Sequence, residues 1–266
     1  MDRRVTIEED LELTEPILVA AWPGMGLVGL KTVQYIQSQL ESRRVAYIDA
    51  GEFFQCAGVS VKNGVLSAAN RPKSEFFTVH PTGSDHSLLL FIGDEQPAGG
   101  KEYTFASLVI DVAKHFGVNR VVTAAAMVTS LHHSEPSRLW AAATSASLLD
   151  ELPPDSYVEV KDGHIGGLNG LLLGVARERG MDGYCFLGEI PYYVTNLENP
   201  KASVVILEYL ENMLGFSLDK KAIKEKAAYV QSQVESAVRQ VRADVTASKL
   251  QETVEAEDDD EHGTIN

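Results

Sequence analysis

An unbroken apolar run, Ile17-Leu-Val-Ala-Ala-Trp22, passes through Pro23 into Gly24-Met-Gly26-Leu-Val-Gly29. Glycines at this spacing imply a close backbone approach or dihedrals that other residues avoid. The run lacks the polar alternation of a half-wet strand, so it predicts a strand covered on both faces. Leu27, Leu30, Val33, Ile36 and Leu40 then share one face of a helix over about 26–40. Arg44–Asp49 reads as the next strand, and the three pieces form a β-α-β unit. That unit commits the chain to an α/β fold.

The remaining chain keeps the rhythm, with one interruption. Residues 52–80 read as an antiparallel excursion. Val59-Ser-Val61 and Val65-Leu66 flank Lys62-Asn63-Gly64, where Asn-Gly favours a type I′ hairpin, and Phe76–Val79 is a further strand. Strands follow at Ser87–Ile92, Arg120–Ala126, Leu139–Ala143 and Gly183–Leu187. Helices are predicted over about 104–116, from Gly166-Gly-Leu-Asn-Gly170 to about Arg179, and from Asn199-Pro200 to Leu214. Asn suits a helix cap and Pro the first helical position. Residues 127–137 read as a loop, and residues 157–165 as a small hairpin.

From Asp219 to about Leu250, Ile223, Ala227, Val230, Val234, Val238, Val241 and Val245 recur every three or four residues. This is a narrow apolar seam on one long polar helix, suited to folding back on the domain or pairing with another chain. The expected organisation is an α/β core over 1–216, a helical extension over 217–252 and an acidic, disordered tail over 253–266.

Charge and cysteine usage narrow the function classes. The formal net charge of −15 argues against a nucleic-acid partner, since phosphates need clustered Lys and Arg. No apolar run reaches the roughly 18 residues of a membrane span. The start, Met1-Asp-Arg-Arg, has no apolar signal region. Cys56 and Cys185 lack C-x-x-C partners, so they read as buried thiols in a reducing cytoplasm.

Three constellations bear on chemistry. The first is a dinucleotide site: the G-x-G-x-x-G turn follows a strand and opens a helix, and Asp49 ends the next strand about 20 residues on, as the nucleotide fingerprint requires. Trp22-Pro23 makes that turn bulky, and no set of residues for hydride transfer follows. Packing of a helix on the sheet, an interface or another ligand therefore explains the glycines better, and no cofactor is expected. The second is His132, His133 and Glu135. Adjacent histidines point apart, and the spacing fits no zinc motif, so they read as solvated loop residues. The third is the rim beyond the strand ends, where Asp49, Glu52, Asp94, Glu95 and Glu189 would stand near helix starts at Gly26 and Asn169. Neither G-x-S-x-G nor a P-loop occurs. No catalytic residue and no metal ligand is assigned.

Five ordered segments then carry a resemblance. They are Trp22-Pro-Gly-Met-Gly-Leu-Val-Gly29, Leu88-Leu-Leu-Phe-Ile-Gly-Asp-Glu-Gln-Pro97, Gly117-Val-Asn-Arg-Val-Val-Thr123, Gly167-Leu-Asn-Gly170 and Leu187-Gly-Glu-Ile-Pro-Tyr192. Spread over about 15–216, they resemble the proteasome assembly chaperone 2 family. The resemblance implies a three-layer α/β/α sandwich with a mixed sheet, similar to phosphorylase/hydrolase-like folds. It also implies action by protein binding, with homo- or hetero-oligomers and a client or proteasome-like complex as partners. It supplies no catalytic residues. The last residues, Thr264-Ile265-Asn266, lack the tyrosine of the hydrophobic-Tyr-any tripeptide by which archaeal relatives dock on the proteasome α-ring, which argues against that route.

Two functions stay open on the sequence. One is a chaperone-like, oligomeric protein binder. The other is a small-molecule protein (nucleoside, nucleotide or anion) or a hydrolase/phosphorylase-like enzyme. Candidate ligand or interface residues are Gly24, Gly26, Gly29, Asp49, His132, Asn169, Glu189 and Tyr192.

Overall fold

The computed structural model describes residues 1–55, 58–67 and 71–261, without the side chains of residues 50, 242, 245 and 247–261. Strands β1 (Val5–Ile7) and β2 (Ile17–Ala21) come first, then a 3-10 turn over Met25–Leu27 and helix α1 (Val28–Gln39). Next are β3 (Ser42–Ile48), the short β4 (Val61–Lys62) and β5 (Val65–Leu66), β6 (Ser74–Val79), β7 (Leu88–Gly93) and α2 (Glu102–His115). They lead to β8 (Arg120–Thr129), β9 (Leu139–Ala143), α3 (Ala146–Asp150), β10 (Val158–Glu159) and α4 (Gly167–Glu178). The chain continues through β11 (Asp182–Pro191), α5 (Pro200–Leu214) and α6 (Lys221–Glu261).

Nine strands form one mixed sheet in the order β1-β3-β6-β7-β2-β8-β11-β9-β10, and β4 and β5 pair separately. At its centre β2, β7, β8 and β11 run parallel. β6 lies antiparallel between β3 and β7, as the 52–80 excursion predicted. Side chains alternate strictly along β2. Leu18, Ala20 and Trp22 join one buried core with α2 and α4, and Ile17, Val19 and Ala21 join another with α1 and α5. Both faces of the sheet are thus covered, giving the three-layer α/β/α sandwich.

Two local expectations change. Residues 157–165 do not form a hairpin: β10 pairs parallel with β9 at the sheet edge. Ile165 instead lies against α4, its carbonyl 2.0 Å from where a Cβ on Gly170 would sit. β8 and β11 also run on past their predicted ends, to Thr129 and Pro191, because they stay paired with each other throughout.

The seam of α6 divides along its length. Ile223 and Val234 are buried, while Val241 is 61% exposed. Lys220 caps this junction by pairing with the buried Glu211 carboxylate, and Lys224 pairs with Glu208 and Lys226 with Glu198. The inner turns therefore fold back on the domain, and Val241 already stands clear of it. α6 stays helical to Glu261, through most of the segment expected as a tail, and residues 262–266 lie outside the described ones. Cys56 also lies outside them. Cys185 is buried in β11, where burial pushes its thiol up to about 11. Among the described residues no helix is long and apolar enough to cross a membrane.

Candidate functional site

The turn after β2 is held from two sides. On one side the Trp22 amide donates to Asn169 Oδ1 at 3.2 Å. Gln96 Nε2 donates to the Pro23 carbonyl at 2.9 Å, and Gln96 Oε1 accepts from the Leu168 amide at 3.0 Å. Gln96 thereby ties the end of β2 to the first turn of α4. On the other side the Gly26 amide donates to the Thr195 carbonyl at 2.7 Å, and the Gly26 carbonyl accepts from the Asn199 amide at 2.8 Å. Asn199 also caps α5 by accepting from the Ala202 amide.

Each glycine has its own steric reason. Gly26 has φ +61, and a Cβ there would meet Asn199, Val28 and Ile190 at 3.2–3.4 Å. Leu27 follows with φ +50, so two successive residues are left-handed. That costs about 1–2 kcal/mol at a non-glycine residue. A Cβ on Gly29 would lie 1.9 Å from the Ala124 carbonyl oxygen, so α1 packs directly on the backbone of β8. Gly24 is looser, with Asn169 Nδ2 3.7 Å from its Cβ position. Gly93 makes room for Trp22, whose ring would lie 2.5 Å from a Cβ there. The turn is a packing joint between helices and sheet, and its Gly26 amide is taken by the chain itself.

Glu189 sits near the end of β11, next to the turn across β8. It is 1% exposed. Arg138 grips it through Nε and Nη2, both at 2.7 Å, and Thr129 Oγ1 donates at 2.8 Å. Burial pushes this carboxyl up, but the hydrogen bonds of Arg138 and Thr129 and the Arg138 charge outweigh it and hold the carboxyl below the usual range. It is a structural carboxylate satisfied by Arg138 and Thr129.

The other predicted residues separate. Asp49 follows β3, which β6 and β7 separate from β2, a span of about 14 Å at normal strand spacing. Its Oδ1 accepts from the Gly51 amide in a local turn. The adjacency that a dinucleotide site would need is therefore missing. His132 is exposed, with Nδ1 2.7 Å from Ser134 Oγ. His133 bonds the Tyr193 hydroxyl, and Lys201 donates to the His133 and Glu135 carbonyls. Burial lowers the Lys201 ammonium's pKa. Tyr192 points outward, 65% exposed. Gly24, Gly26, Gly29 and Asn169 are thus brought together, Glu189 stands across β8 from them, His132 and Tyr192 stand on the neighbouring loops, and Asp49 is apart.

Sequence reasoning missed Gln96, Arg138 and Thr195. Gln96 lies inside a segment already singled out, Gly93–Pro97. Arg138 and Thr195 carry no local signal, because their partners Glu189 and Gly26 are 51 and 169 residues away.

A narrow cavity of about 30 Å³ lies beneath the inner turns of α6, lined by Glu189, Lys201, Asn199, Val230, Gln231 and Val234. It has room for about one or two waters. The rim's outward face, by contrast, presents Met25, Tyr192, Tyr193 and Leu197, all at least 40% exposed.

Comparison with known proteins agrees with this layout. The fold is similar to that of PbaB from Pyrococcus furiosus, an archaeal proteasome activator, with a TM-score of 0.74 and 24% identity over 90% of this chain and 98% of that one. It is also similar to the proteasome-assembly chaperone homologue Rv2125 of Mycobacterium tuberculosis, with a TM-score of 0.71 and 20% identity over 83% and 94% of the two chains. An uncharacterized Methanocaldococcus jannaschii protein, MJ1210, is 24% identical over 233 residues, 85% of each chain. The PAC2 family model matches residues 18–238, from the first central strand through the inner turns of α6, and the chain belongs to the PAC2 family.

Proposed function

We propose that this chain acts by binding proteins, as an oligomer in the cytoplasm, in the manner of a proteasome-assembly chaperone and without chemistry of its own. The observation that carries this reading is the contrast within the rim. Several of its polar groups are spent on the chain: Asn169 Oδ1 on the Trp22 amide, the Gly26 amide on Thr195, and Glu189 on Arg138 and Thr129. Its outward surface is methionine and tyrosine, residue types enriched at protein interfaces. The two loops that carry this surface are fixed to each other through the Gly26–Thr195 bond. PbaB and Rv2125, named for proteasome activation and assembly, support a proteasome-related partner.

The test is binding of the purified chain to proteasome α-subunits from the same organism, measured by interferometry. Met25→Ser with Tyr192→Ala is expected to weaken binding at least tenfold and leave the circular dichroism spectrum unchanged. Absence of wild-type binding, or equal affinity of the variant, would overturn the reading.

A further inference from the structure

The segment between β3 and β6 carries an element that the rim does not use. β4 and β5 have two residues each and pair only with one another. Asn63 and Gly64, at φ 52 and 77, make the left-handed turn between them. Val61, Val65 and Leu66 are 62%, 69% and 67% exposed. A lone two-stranded hairpin is marginal in water, and this one leaves its apolar side chains uncovered. Its charge is also opposite to that of the protein. Between Phe53 and Ser74 the sequence holds Lys62, Arg71 and Lys73 and no acid, on a chain of net charge −15. Among the described residues none of these three side chains forms an ion pair, and the Lys73 amide donates to Asp94 Oδ2 at 3.0 Å.

Matching chemistry lies at the far edge of the sheet. β10 is the outermost strand there. Beside it, towards α5, runs a groove of about 500 Å³ with Leu139, Val158 and Val205 among its apolar walls and, among its charged ones, Asp155, Glu208, which pairs with Lys224, and Arg138, which pairs with Glu189. From residue 150 to residue 162 the sequence has Asp150, Glu151, Asp155, Glu159 and Asp162 against the single base Lys161. Six strand steps separate β6 from β10, about 29 Å, so the arm of one chain is remote from its own groove.

We infer that the 58–67 hairpin, with Arg71 and Lys73 beyond it, docks in the groove beside β10 of a second copy of this chain. The contact is head-to-tail: apolar tip on apolar floor, basic flanks on the acidic edge. Repeated, such a contact closes a ring when the rotation allows. The inference rests on the oligomeric reading above and names its surfaces.

Light scattering after gel filtration tests it, at 50 and 500 mM salt. The wild type is expected to be a multimer that loses mass at high salt, since exposed charge pairs are screened. Val65→Ser with Leu66→Ser is expected to give a monomer with an unchanged circular dichroism spectrum. Lys62→Glu with Arg71→Glu, and separately Glu159→Lys with Asp162→Lys, are each expected to dissociate the multimer, and the four changes together to restore it. A monomeric wild type would overturn this inference and the oligomeric reading together. A multimer indifferent to the arm variants would overturn the arm alone. Dissociation without restoration by the combined charge swap would overturn the groove as its seat.

Discussion

The turn at residues 24–29 and the hairpin at residues 61–66 are built from the same local ingredients, and they end in opposite surroundings. Each places two consecutive residues in the left-handed region, Gly26-Leu27 and Asn63-Gly64. Around Gly26 and Gly29 of the first, other parts of the chain close in, so that a Cβ on Gly29 would enter the backbone of β8. Around the second, a Cβ on Gly64 would meet nothing within 4 Å. Local sequence dictates the bend in both cases. What the bend faces is decided by segments tens of residues away.

Substitutions can break or sharpen this contrast. Gly29→Ala should have the largest effect, a loss of more than about 3 kcal/mol in denaturant unfolding, because α1 would have to lift from β8. A midpoint close to that of the wild type would remove the claim of direct helix-on-backbone packing. Arg138→Met comes next, since it strips the buried Glu189 carboxylate of its counter-charge. In the wild type the depressed Glu189 value gives stability that is complete above the ordinary glutamate pKa of about 4.3 and is lost as pH falls through the lower folded value. The variant's deficit in melting temperature should therefore be full at pH 7 and shrink on acidification. A deficit that is constant with pH would mean that lost packing, not charge, is responsible.

Gly64→Ala should cost only about 1 kcal/mol, the strain of a left-handed alanine in open space. A loss as large as that of Gly29→Ala would erase the distinction between the two turns. Val65→Ser with Leu66→Ser should change the monomer's unfolding free energy by no more than about 0.5 kcal/mol, as expected for surface positions. A larger fall would show that the hairpin packs on its own domain.

Much of the fold could be read locally. The alternation in β2, the Asn199-Pro200 start of α5 and the Asn63-Gly64 turn each rest on a few neighbouring residues. The candidate site was legible as a set of segments and not as a set of contacts. Gly24 and Asn169 do meet, with Glu189 across β8, but the partners Gln96, Thr195 and Arg138 arrive through strand order. Asp49 shows the same limit. Its distance from Gly29 along the chain fits a nucleotide fingerprint, and the insertion of β6 and β7 between β3 and β2 sends it elsewhere. The seam of α6 has one uniform period in sequence, and only burial separates Val234 from Val241.

The length of α6 has a mechanical consequence. From Val238 to Glu261 the helix is about 35 Å long at 1.5 Å per residue. Its base is seated by Val234 and the Lys226–Glu198 pair beside the strand-end loops. A stiff rod mounted this way is a lever: a ten-degree tilt at its seat sweeps the far end through about 6 Å. A sub-ångström adjustment of the 191–201 loop, on which the seat rests, would thus be magnified at the acidic tip.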